Sequence, residues 1–429
     1  MDKITIHGGR RLAGSIDASG SKNAAVVIMA ATILADGVVT LRNIPRITDT
    51  QVMMDILDKL GAKTKWIEHN AVEIDSRTVL WLEAPYELVR KMRASFHVLG
   101  PLLARFGKAR VPAPGGCNIG ARPVNFHIDG LKKMGADIHL EHGIFTAEAD
   151  KLKGADIYFD LQSPGATEHI MAAATLAEGV TVIQNCAIEP EVVDLANFLK
   201  ALGADIEGAG TTTITIRGVE RLHGADYKVI PDRIESGTFA IAAAISKGDV
   251  TINGVVLEHL RPCINKLREA GITVTETENS IRIQADGPAK GVDIKTMAYP
   301  GFPTDLQQPF ASLLSIAEGP SVIHETIYES RFGYVNELNR MGAEIRVDGR
   351  TTVINGVSRL MGANVSATDL RAGAAMLCAG LAAEGETVIE NIEHIDRGYE
   401  NVVERLRSLG ADIWRDSEER IGEVLACSA

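Results

Sequence analysis

A thiol lies among three glycines in residues 114–124, where Pro114-Gly115-Gly116-Cys117 is followed by Gly120 and by Arg122-Pro123. Glycine allows positive φ and lets a ligand approach the backbone closely. A cysteine acts as a nucleophile or a proton donor when nearby cations lower the pKa of its thiol. Because the proline restricts the backbone of Arg122, the pattern predicts a loop that presents Cys117 for chemistry close to a cation.

Several basic residues are candidates for binding anions. Lys22 and Asn23 follow Ser19-Gly20-Ser21 and open a predicted helix, a position that suits a phosphate or a carboxylate, although the spacing of a Walker A loop is absent. Arginine is favoured where a carboxylate or phosphate needs a planar, bidentate partner. Taken singly, each is equally well explained as a surface charge or an ion-pair partner. The candidate arginines are Arg93, Arg122, Arg331, Arg371 and Arg397.

Asp305 is the candidate general base. It follows Pro300-Gly301-Phe302-Pro303-Thr304, whose prolines restrict the loop, and it arrives at the start of a predicted helix. Taken alone, the residue is better explained as an ordinary first-turn aspartate that the helix dipole stabilises. The histidines show no metal-ligand spacing, so the sequence predicts no metal site.

The composition excludes several classes of protein. The 429 residues are 45% hydrophobic and 23% charged, which predicts a folded protein of two domains. The net charge of −12 argues against a nucleic-acid binder. Five cysteines without a C-x-x-C pair fit reduced thiols in the cytoplasm. We expect no signal peptide and no membrane span, because the chain start lacks a basic, apolar leader and no stretch approaches about 18 apolar residues.

A short phrase, Leu-x-x-x-Gly, recurs along the whole chain. An alanine-rich or leucine-rich run that ends in glycine precedes each copy and predicts a buried helix. Short alternating segments such as Thr213 to Ile216 predict strands. The pattern therefore predicts six units of strands, helix, strand, helix and strand, divided into two domains of three. The glycines of the phrase stand at 61, 135, 203, 271, 342 and 410, a period of about 70 residues.

Polar residues precede the first helix of each predicted unit. Asp232 and Glu235 have the spacing of a capping box. Helix N-termini favour anions, so several of them facing one cleft would form an anion site; as ordinary caps they would have no further role. The candidate caps are Ser21, Ser95, Thr167, Asp232, Thr304 and Thr368.

The chain start holds two strand-like pieces, Lys3 to His7 and Gly14 to Ala18, with no helix before them, whereas the last unit lacks closing strands. We expect the N-terminus to complete the last unit. The predicted domains are therefore residues 22–229 and residues 1–21 with 230–429.

Taken together, these motifs resemble the family of enolpyruvyl transferases that act on UDP-N-acetylglucosamine, from Ile4 to near Trp414. The resemblance implies two inside-out α/β barrel domains, built from six repeated units around buried helices. The motifs are Ser19-Gly20-Ser21-Lys22-Asn23-Ala24-Ala25, Pro114-Gly115-Gly116-Cys117, Ile119-Gly120-Ala121-Arg122-Pro123-Val124, Ile230-Pro231-Asp232-Arg233-Ile234-Glu235, Pro303-Thr304-Asp305, Thr368-Asp369-Leu370-Arg371 and His394-Ile395-Asp396-Arg397-Gly398-Tyr399.

The resemblance also implies the reaction. The enolpyruvyl group of phosphoenolpyruvate moves to the 3-hydroxyl of UDP-N-acetylglucosamine by addition and elimination, with release of phosphate, as the first committed step of peptidoglycan synthesis. No cofactor is expected, and the only partners expected are these two substrates. Cys117 is implied as the acid and Asp305 as the base, with Lys22 and Arg397 also catalytic.

The same resemblance assigns the substrate contacts. Those implied for phosphoenolpyruvate are Lys22, Asn23, Arg122, Arg331, Arg371 and Arg397. Those implied for UDP-N-acetylglucosamine are Asn23, Arg93, Arg122, Pro123, Val124, Asn125, Phe126, Ser163, Pro164, Asp305 and Ile327.

Some residues depart from the family pattern, and two other functions compete. Asn125 replaces an expected aspartate, Leu161 and Gln162 stand where some relatives carry a lysine, and Pro164 replaces a valine, which concerns uridine contacts rather than the reaction. A shikimate-pathway enolpyruvyl transferase would lack the cysteine loop and would start with a Pro-Gly-Ser-Lys-Ser phrase. A non-catalytic sugar-nucleotide sensor would be expected to have lost Cys117, Asp305 or Arg397.

Overall fold

The computed structural model describes residues 2–114, Gly120 and residues 123–416, so Cys117 and Arg122 lie outside the described residues. The described chain groups into two compact units. The proximal unit comprises residues 20–114 and 123–230. The distal unit comprises residues 2–19, Gly120 and residues 231–416.

The strands of the described chain are β1 (Lys3–His7), β2 (Ala13–Asp17), β3 (Val38–Arg42), β4 (Lys63–Glu68), β5 (Ala71–Asp75), β6 (Lys108–Pro112), β7 (Asp137–Glu141), β8 (Ile144–Glu148), β9 (Asp156–Tyr158), β10 (Val180–Gln184), β11 (Asp205–Glu207), β12 (Thr213–Arg217), β13 (Asp226–Lys228), β14 (Asp249–Asn253), β15 (Thr273–Glu276), β16 (Ser280–Gln284), β17 (Ile294–Lys295), β18 (Pro320–His324), β19 (Glu344–Asp348), β20 (Thr351–Asn355), β21 (Asn364–Ser366), β22 (Glu386–Glu390) and β23 (Asp412–Asp416).

The α-helices are α1 (Lys22–Ala31), α2 (Thr48–Leu60), α3 (Tyr86–Val89), α4 (Leu99–Phe106), α5 (Asn125–Lys133), α6 (Pro164–Ala174), α7 (Pro190–Ala201), α8 (Arg233–Ile245), α9 (Leu257–Glu269), α10 (Thr304–Leu314), α11 (Gly333–Arg340), α12 (Leu370–Ala382), α13 (Glu393–Asp396) and α14 (Val402–Ser408). Short 3-10 turns cover Thr32–Leu34, Ser76–Thr78 and Arg93–Val98.

Within the described residues, six sheets repeat one strand order, which confirms the six predicted units. In five of them, the strand after the first helix pairs antiparallel with the second strand of a hairpin, whereas in the last sheet β22 pairs antiparallel with β1. In five sheets a parallel strand also flanks the strand that follows the first helix. The three-stranded sheet has only a parallel bridge, between Glu83 and Arg110, in that place. The orders are β13-β3-β5-β4, β6-β8-β7, β9-β10-β12-β11, β2-β14-β16-β15, β17-β18-β20-β19 and β21-β22-β1-β23.

The two N-terminal strands join different sheets. Strand β1 lies between β22 and β23, with Ile4 opposite Ile389 and Arg415, so it completes the last unit as predicted. Strand β2 does not follow it, because Ile16 pairs in parallel with Ile252 of β14 in the fourth unit. The strand that precedes α8 in sequence, β13, is already paired with β3. Strand β2 therefore fills the parallel position beside β14.

The helices that follow each parallel strand are buried on all sides. In the distal unit, α8, α10 and α12 pack against one another, and their alanines and glycines allow close approach. An ideal Cβ on Gly237 of α8 would lie 2.5 Å from Leu306 of α10. Most strands bury alternate residues on one face only, as in β10. Each of the two compact units, proximal and distal, thus has its helices inside and its sheets outside, as predicted. No helix of the described chain has the length and apolar character needed to cross a bilayer.

Two of the predicted helix caps are confirmed. The Ser21 hydroxyl accepts the N–H of Ala24, and Asp232 accepts the N–H groups of Ile234 and Glu235. The capping box is only half formed, because the Glu235 carboxylate accepts the N–H of Ser19 instead of that of Asp232. Both helix starts are therefore fixed by a short polar side chain.

The caps predicted at Thr304 and Thr368 are wrong by one residue. Thr304 is the first residue of α10, and its hydroxyl donates to Glu325 rather than capping the helix. Helix α12 is capped by Asp369, whose carboxylate accepts two N–H groups of the first turn.

The caps predicted at Thr167 and Ser95 are also wrong. Ser163 caps α6, and the Thr167 hydroxyl, one turn inside the helix, accepts the N–H of Ala187. Ser95 lies within the 3-10 turn Arg93–Val98. In both places the polar side chain faces the interior instead of the helix end.

Candidate active site

Two buried arginines hold the carboxylate of Asp305 in the distal unit. Asp305 lies in the first turn of α10, with Oδ1 2.7 Å from Nη1 of Arg331 and Oδ2 3.2 Å from Nη2 of Arg371. The side chains of Arg331 and Arg371 are 4% and 3% exposed, whereas that of Asp305 is 24% exposed. Three sequence-predicted site residues therefore converge, and the carboxylate is the one that solvent reaches.

The ion pairs determine the charge of Asp305. Burial by itself would raise the pKa of the carboxyl group, but the guanidinium groups of Arg331 and Arg371 outweigh burial and hold the pKa well below its ordinary value. Asp305 is therefore ionised, and the three side chains together carry one net positive charge. A buried cluster with that charge favours an anionic ligand.

The loop that carries Arg331 is anchored by a buried carboxylate that the sequence did not single out. Arg331 Nη1 donates to the Thr304 hydroxyl over 2.9 Å, and that hydroxyl donates to Glu325 over 2.8 Å. Glu325 is fully buried and also accepts the N–H groups of Ile327 and Tyr328. Since Thr304 lies 21 residues before Glu325 in the sequence, no local motif could have identified this link.

Arg371 is held by its own helix and by a tyrosine. The N–H of Arg371 donates to the Asp369 cap at 2.8 Å, and its Nη1 donates to the Tyr399 hydroxyl at 3.1 Å. The same hydroxyl lies 2.9 Å from that of Thr238. Tyr399 belongs to the motif that contains Arg397, so the sequence did offer a signal for it. Arg397 itself is half-buried at the end of α13, and Ile327 is exposed.

Lys22 occupies the first position of α1 in the proximal unit and is paired with a buried carboxylate. Its Nζ lies 2.9 Å from Oδ2 of Asp49, which is in the first turn of α2 and 1% exposed. Asn23, the next residue, is half-buried. Asp49 carries no distinctive signal in the sequence, because an aspartate in the first turn of an amphipathic helix is ordinary.

The segments implied to bind the nucleotide sugar begin two adjacent helices of the proximal unit. Helix α5 begins at Asn125 and helix α6 at Pro164, and the two helices are in contact. The predicted residues are exposed or half-buried here, which leaves them accessible: Pro123, Val124, Asn125, Phe126, Ser163 and Pro164. Arg93 is half-buried in the 3-10 turn Arg93–Val98 of the same unit.

A pair of histidines that no sequence motif indicates joins these two helices. Nδ1 of His127 on α5 lies 2.8 Å from Nδ1 of His169 on α6, and Nε2 of His169 accepts the N–H of Gly100 at 2.7 Å. The ring of the buried His97 packs 5.4 Å from that of His169, and burial lowers the pKa of His97 to about 4. No spacing rule relates these histidines, since three separate helical segments bring them together.

The other cysteines within the described chain are core residues. Cys186, Cys263 and Cys378 are buried, and burial raises the pKa of their thiols to about 11, 12 and 12. They remain protonated and unreactive at neutral pH. Within residues 2–114 and 123–416, no three histidine, cysteine, aspartate or glutamate side chains are grouped so that they could hold a metal ion.

Comparison with known proteins places the chain among carboxyvinyltransferases. Residues 6–406 match the family model described as EPSP synthase (3-phosphoshikimate 1-carboxyvinyltransferase). The chain is 53% identical over 416 residues to UDP-N-acetylglucosamine 1-carboxyvinyltransferase of Clostridium botulinum, covering 97% of this chain and 100% of the relative. It is 51% identical over 418 residues to UDP-N-acetylglucosamine 1-carboxyvinyltransferase 3 of Caldanaerobacter subterraneus subsp. tengcongensis, with the same two coverages.

Solved structures show the same fold. The enolpyruvyl transferase NikO from Streptomyces tendae matches with a TM-score of 0.88 and 30% identity, covering 96% of this chain and 98% of that one. EPSP synthase from Acinetobacter baumannii matches with a TM-score of 0.76 and 18% identity, covering 97% and 100%. The second likeness concerns the fold alone.

Proposed function

The chain belongs to the EPSP synthase family of enolpyruvyl transferases, and we propose that it transfers the enolpyruvyl group of phosphoenolpyruvate to the 3-hydroxyl of UDP-N-acetylglucosamine, releasing phosphate. The relatives named above, at about 50% identity over nearly the whole chain, support this acceptor. The observation that carries the chemistry is the carboxylate of Asp305 held by two buried guanidinium groups. In a cell this reaction would serve peptidoglycan synthesis in the cytoplasm.

The proposed reaction has two stages, and both balance without a cofactor. In the addition, the 3-hydroxyl oxygen bonds to C2 of phosphoenolpyruvate, its proton passes to a base, and an acid protonates the methylene C3. In the elimination, the methyl group so formed loses a proton, the bond between C2 and the phosphate oxygen breaks, and the double bond returns. The chain needs one acid, one base and several cations for this sequence.

Asp305 is proposed as the base and Cys117 as the acid, with Lys22 and Arg397 assisting the chemistry. A carboxylate with a strongly lowered pKa is a weak base. A phosphoenolpyruvate anion near Arg331 and Arg371 would share their positive charge and so raise the basicity of Asp305. On this proposal, binding of the substrate prepares the base for the step that follows.

The proposed substrate contacts follow the family motifs. For phosphoenolpyruvate they are Lys22, Asn23, Arg122, Arg331, Arg371 and Arg397. For UDP-N-acetylglucosamine they are Asn23, Arg93, Arg122, Pro123, Val124, Asn125, Phe126, Ser163, Pro164, Asp305 and Ile327. The buried guanidinium groups suit the carboxylate and phosphate of phosphoenolpyruvate, because a planar fork donates two parallel hydrogen bonds to either anion.

The test is an acceptor comparison with phosphoenolpyruvate as the common donor. Purified protein is incubated with UDP-N-acetylglucosamine or with shikimate 3-phosphate, and phosphate release is followed. We expect release only with the nucleotide sugar. Release with shikimate 3-phosphate alone would assign the other family activity, and tight binding of the nucleotide sugar without release would indicate a sensor.

A further inference from the structure

The histidine pair of the proximal unit can have only one arrangement of protons. Nε2 of His169 accepts the N–H of Gly100 at 2.7 Å, so this nitrogen carries no proton. A neutral His169 must then carry its proton on Nδ1 and donate it to Nδ1 of His127, 2.8 Å away. His127 therefore has a lone pair on Nδ1, and its own proton is on Nε2.

The surroundings favour this neutral arrangement. His169 is 1% exposed, and burial, together with the neighbouring His127 and His97, lowers the pKa of His169 well below its ordinary value. The backbone at Gly100 approaches the imidazole closely, since an ideal Cβ there would lie 2.5 Å from Cδ2 of His169. The ring of His169 is therefore fixed in position and orientation before any ligand binds.

Nε2 of His127 lies beside the start of α6. It lies 3.5 Å from the ideal Cβ position of Gly165, which follows the Ser163 cap and Pro164. His127 is itself in the first turn of α5, two residues after Asn125. The segments that contain Asn125 and Ser163 are among the proposed contacts of UDP-N-acetylglucosamine. The uracil, diphosphate and acetamide groups of this substrate all offer oxygen acceptors.

We propose that His169 is a positioning residue that fixes His127 as a neutral Nε2–H donor to an oxygen of the nucleotide sugar. The inference rests on the proposed function for its ligand. It concerns two residues that the family motifs do not include, and its basis is the chain of hydrogen bonds from Gly100 through both rings. Without His169, His127 would change tautomer or accept a second proton, and the donor at Nε2 would no longer be selected.

The proton positions are measured first, without reference to activity. Full-length protein is labelled with ¹⁵N-histidine, and the signals of His127 are assigned by their loss in His127→Phe. At pH 7 we expect wild-type His127 to be unprotonated at Nδ1 and protonated at Nε2. In His169→Phe, which keeps an aromatic ring but cannot donate, we expect a mixture of tautomers. A proton on Nδ1 of His127 in the wild type would overturn the inference.

Steady-state kinetics test whether His127 donates a hydrogen bond to the nucleotide sugar. We expect His169→Phe to raise KM for UDP-N-acetylglucosamine roughly 3- to 10-fold, the effect of losing one hydrogen bond. KM for phosphoenolpyruvate should remain unchanged. His169→Asn places an amide where Nδ1 stood and should lie closer to wild type, which also serves if His169→Phe folds poorly. His139→Asn, on the exposed strand β7, is the control.

The outcomes separate the two proposals. An active wild type whose KM values are unaltered in both His169 variants contradicts the present inference and leaves the proposed function standing. A wild type that releases no phosphate contradicts the proposed function and with it the assigned ligand, whereas the ¹⁵N spectra still decide whether His169 fixes the tautomer of His127.

Discussion

Oδ1 of Asp305 lies 2.7 Å from Nη1 of Arg331, and both side chains belong to the distal unit. The same carboxylate also contacts Arg371, so the proposed base is held by two residues proposed to bind the anionic substrate. Base and anion therefore compete for the same guanidinium groups. We therefore expect substitutions at these residues to change the kinetics with phosphoenolpyruvate and the stability of the ligand-free protein.

Arg331→Ala should affect phosphoenolpyruvate more than the nucleotide sugar. Loss of one partner from a buried charge pair typically costs about 2–5 kcal/mol, so we expect kcat/KM for phosphoenolpyruvate to fall roughly 100-fold. Steady-state kinetics with each substrate varied measure the effect. Arg340→Ala, on the exposed end of α11, is the matched control. Equal KM changes for both substrates would contradict the assignment.

Stability should depend on the ionisation of Asp305. Because the pKa of Asp305 is lower in the folded chain than in the unfolded chain, its ion pairs stabilise the fold at neutral pH. That contribution declines progressively as the pH falls below about 4, the ordinary pKa of an aspartate, towards the much lower pKa of the folded chain. We expect Asp305→Asn to lower the free energy of unfolding by about 2 kcal/mol at pH 7, since 24% of the side chain remains exposed.

Urea unfolding of both proteins at pH 7 and pH 3.5 measures this dependence. The difference between wild type and Asp305→Asn should shrink at the lower pH. A difference that grows as the pH falls would mean that the carboxyl group is protonated in the folded protein.

Asp49 should control the position of Lys22. The pair is 2.9 Å apart, and Asp49 is almost fully buried. Asp49→Asn keeps the shape but removes the charge, so we expect KM for phosphoenolpyruvate to rise about 10-fold, because Lys22 loses its anchor. Asp55→Asn, on the same helix, is the control. Equal kinetics for the two variants would leave Asp49 without this role.

Tyr399→Phe should weaken the support of Arg371. The hydroxyl accepts from Arg371 at 3.1 Å and lies 2.9 Å from the Thr238 hydroxyl. One lost hydrogen bond to a charged group is worth about 1.5–3 kcal/mol, so we expect at least a tenfold fall in kcat/KM for phosphoenolpyruvate. An unchanged value, with a lower melting temperature, would limit Tyr399 to a structural role.

Repetition in the sequence predicted the six units, because the glycine after each Leu-x-x-x-Gly helix and the alanine-rich helices recur at a fixed distance. The sheet that β2 joins could not be predicted in the same way. It depends on β13 pairing with β3, which is a tertiary choice that no local pattern encodes. The cap near α10 was misplaced because Thr304 uses its hydroxyl in the Glu325 network. The cap of α12 was misplaced because Asp369, next to Thr368, provides the capping carboxylate.

The charged residues of the site were predictable, whereas their supports were not. Asp305 and Arg371 stand in recognisable motifs, Arg331 was a candidate by its residue type, and the three side chains meet in space. Glu325 and His169 are linked to the site by partners distant in sequence, Thr304 and His127 respectively. Buried polar groups of this kind are determined by which segments pack together, so they appear only with the structure.

The proposed acid, Cys117, lies outside the described residues and remains a prediction of the sequence. Cys117→Ser should nearly abolish turnover, because a serine hydroxyl is a much weaker acid than a thiol. Phosphate release in single-turnover mixtures measures the effect. Full activity in this variant would remove Cys117 from the role of acid.

The most direct measurement is phosphate release from phosphoenolpyruvate by the wild-type protein, with UDP-N-acetylglucosamine and shikimate 3-phosphate supplied in parallel and Asp305→Ala as the inactive reference. The account predicts release with UDP-N-acetylglucosamine, none with shikimate 3-phosphate, and none from Asp305→Ala with either acceptor. Release with shikimate 3-phosphate alone, or undiminished release by Asp305→Ala, would contradict it.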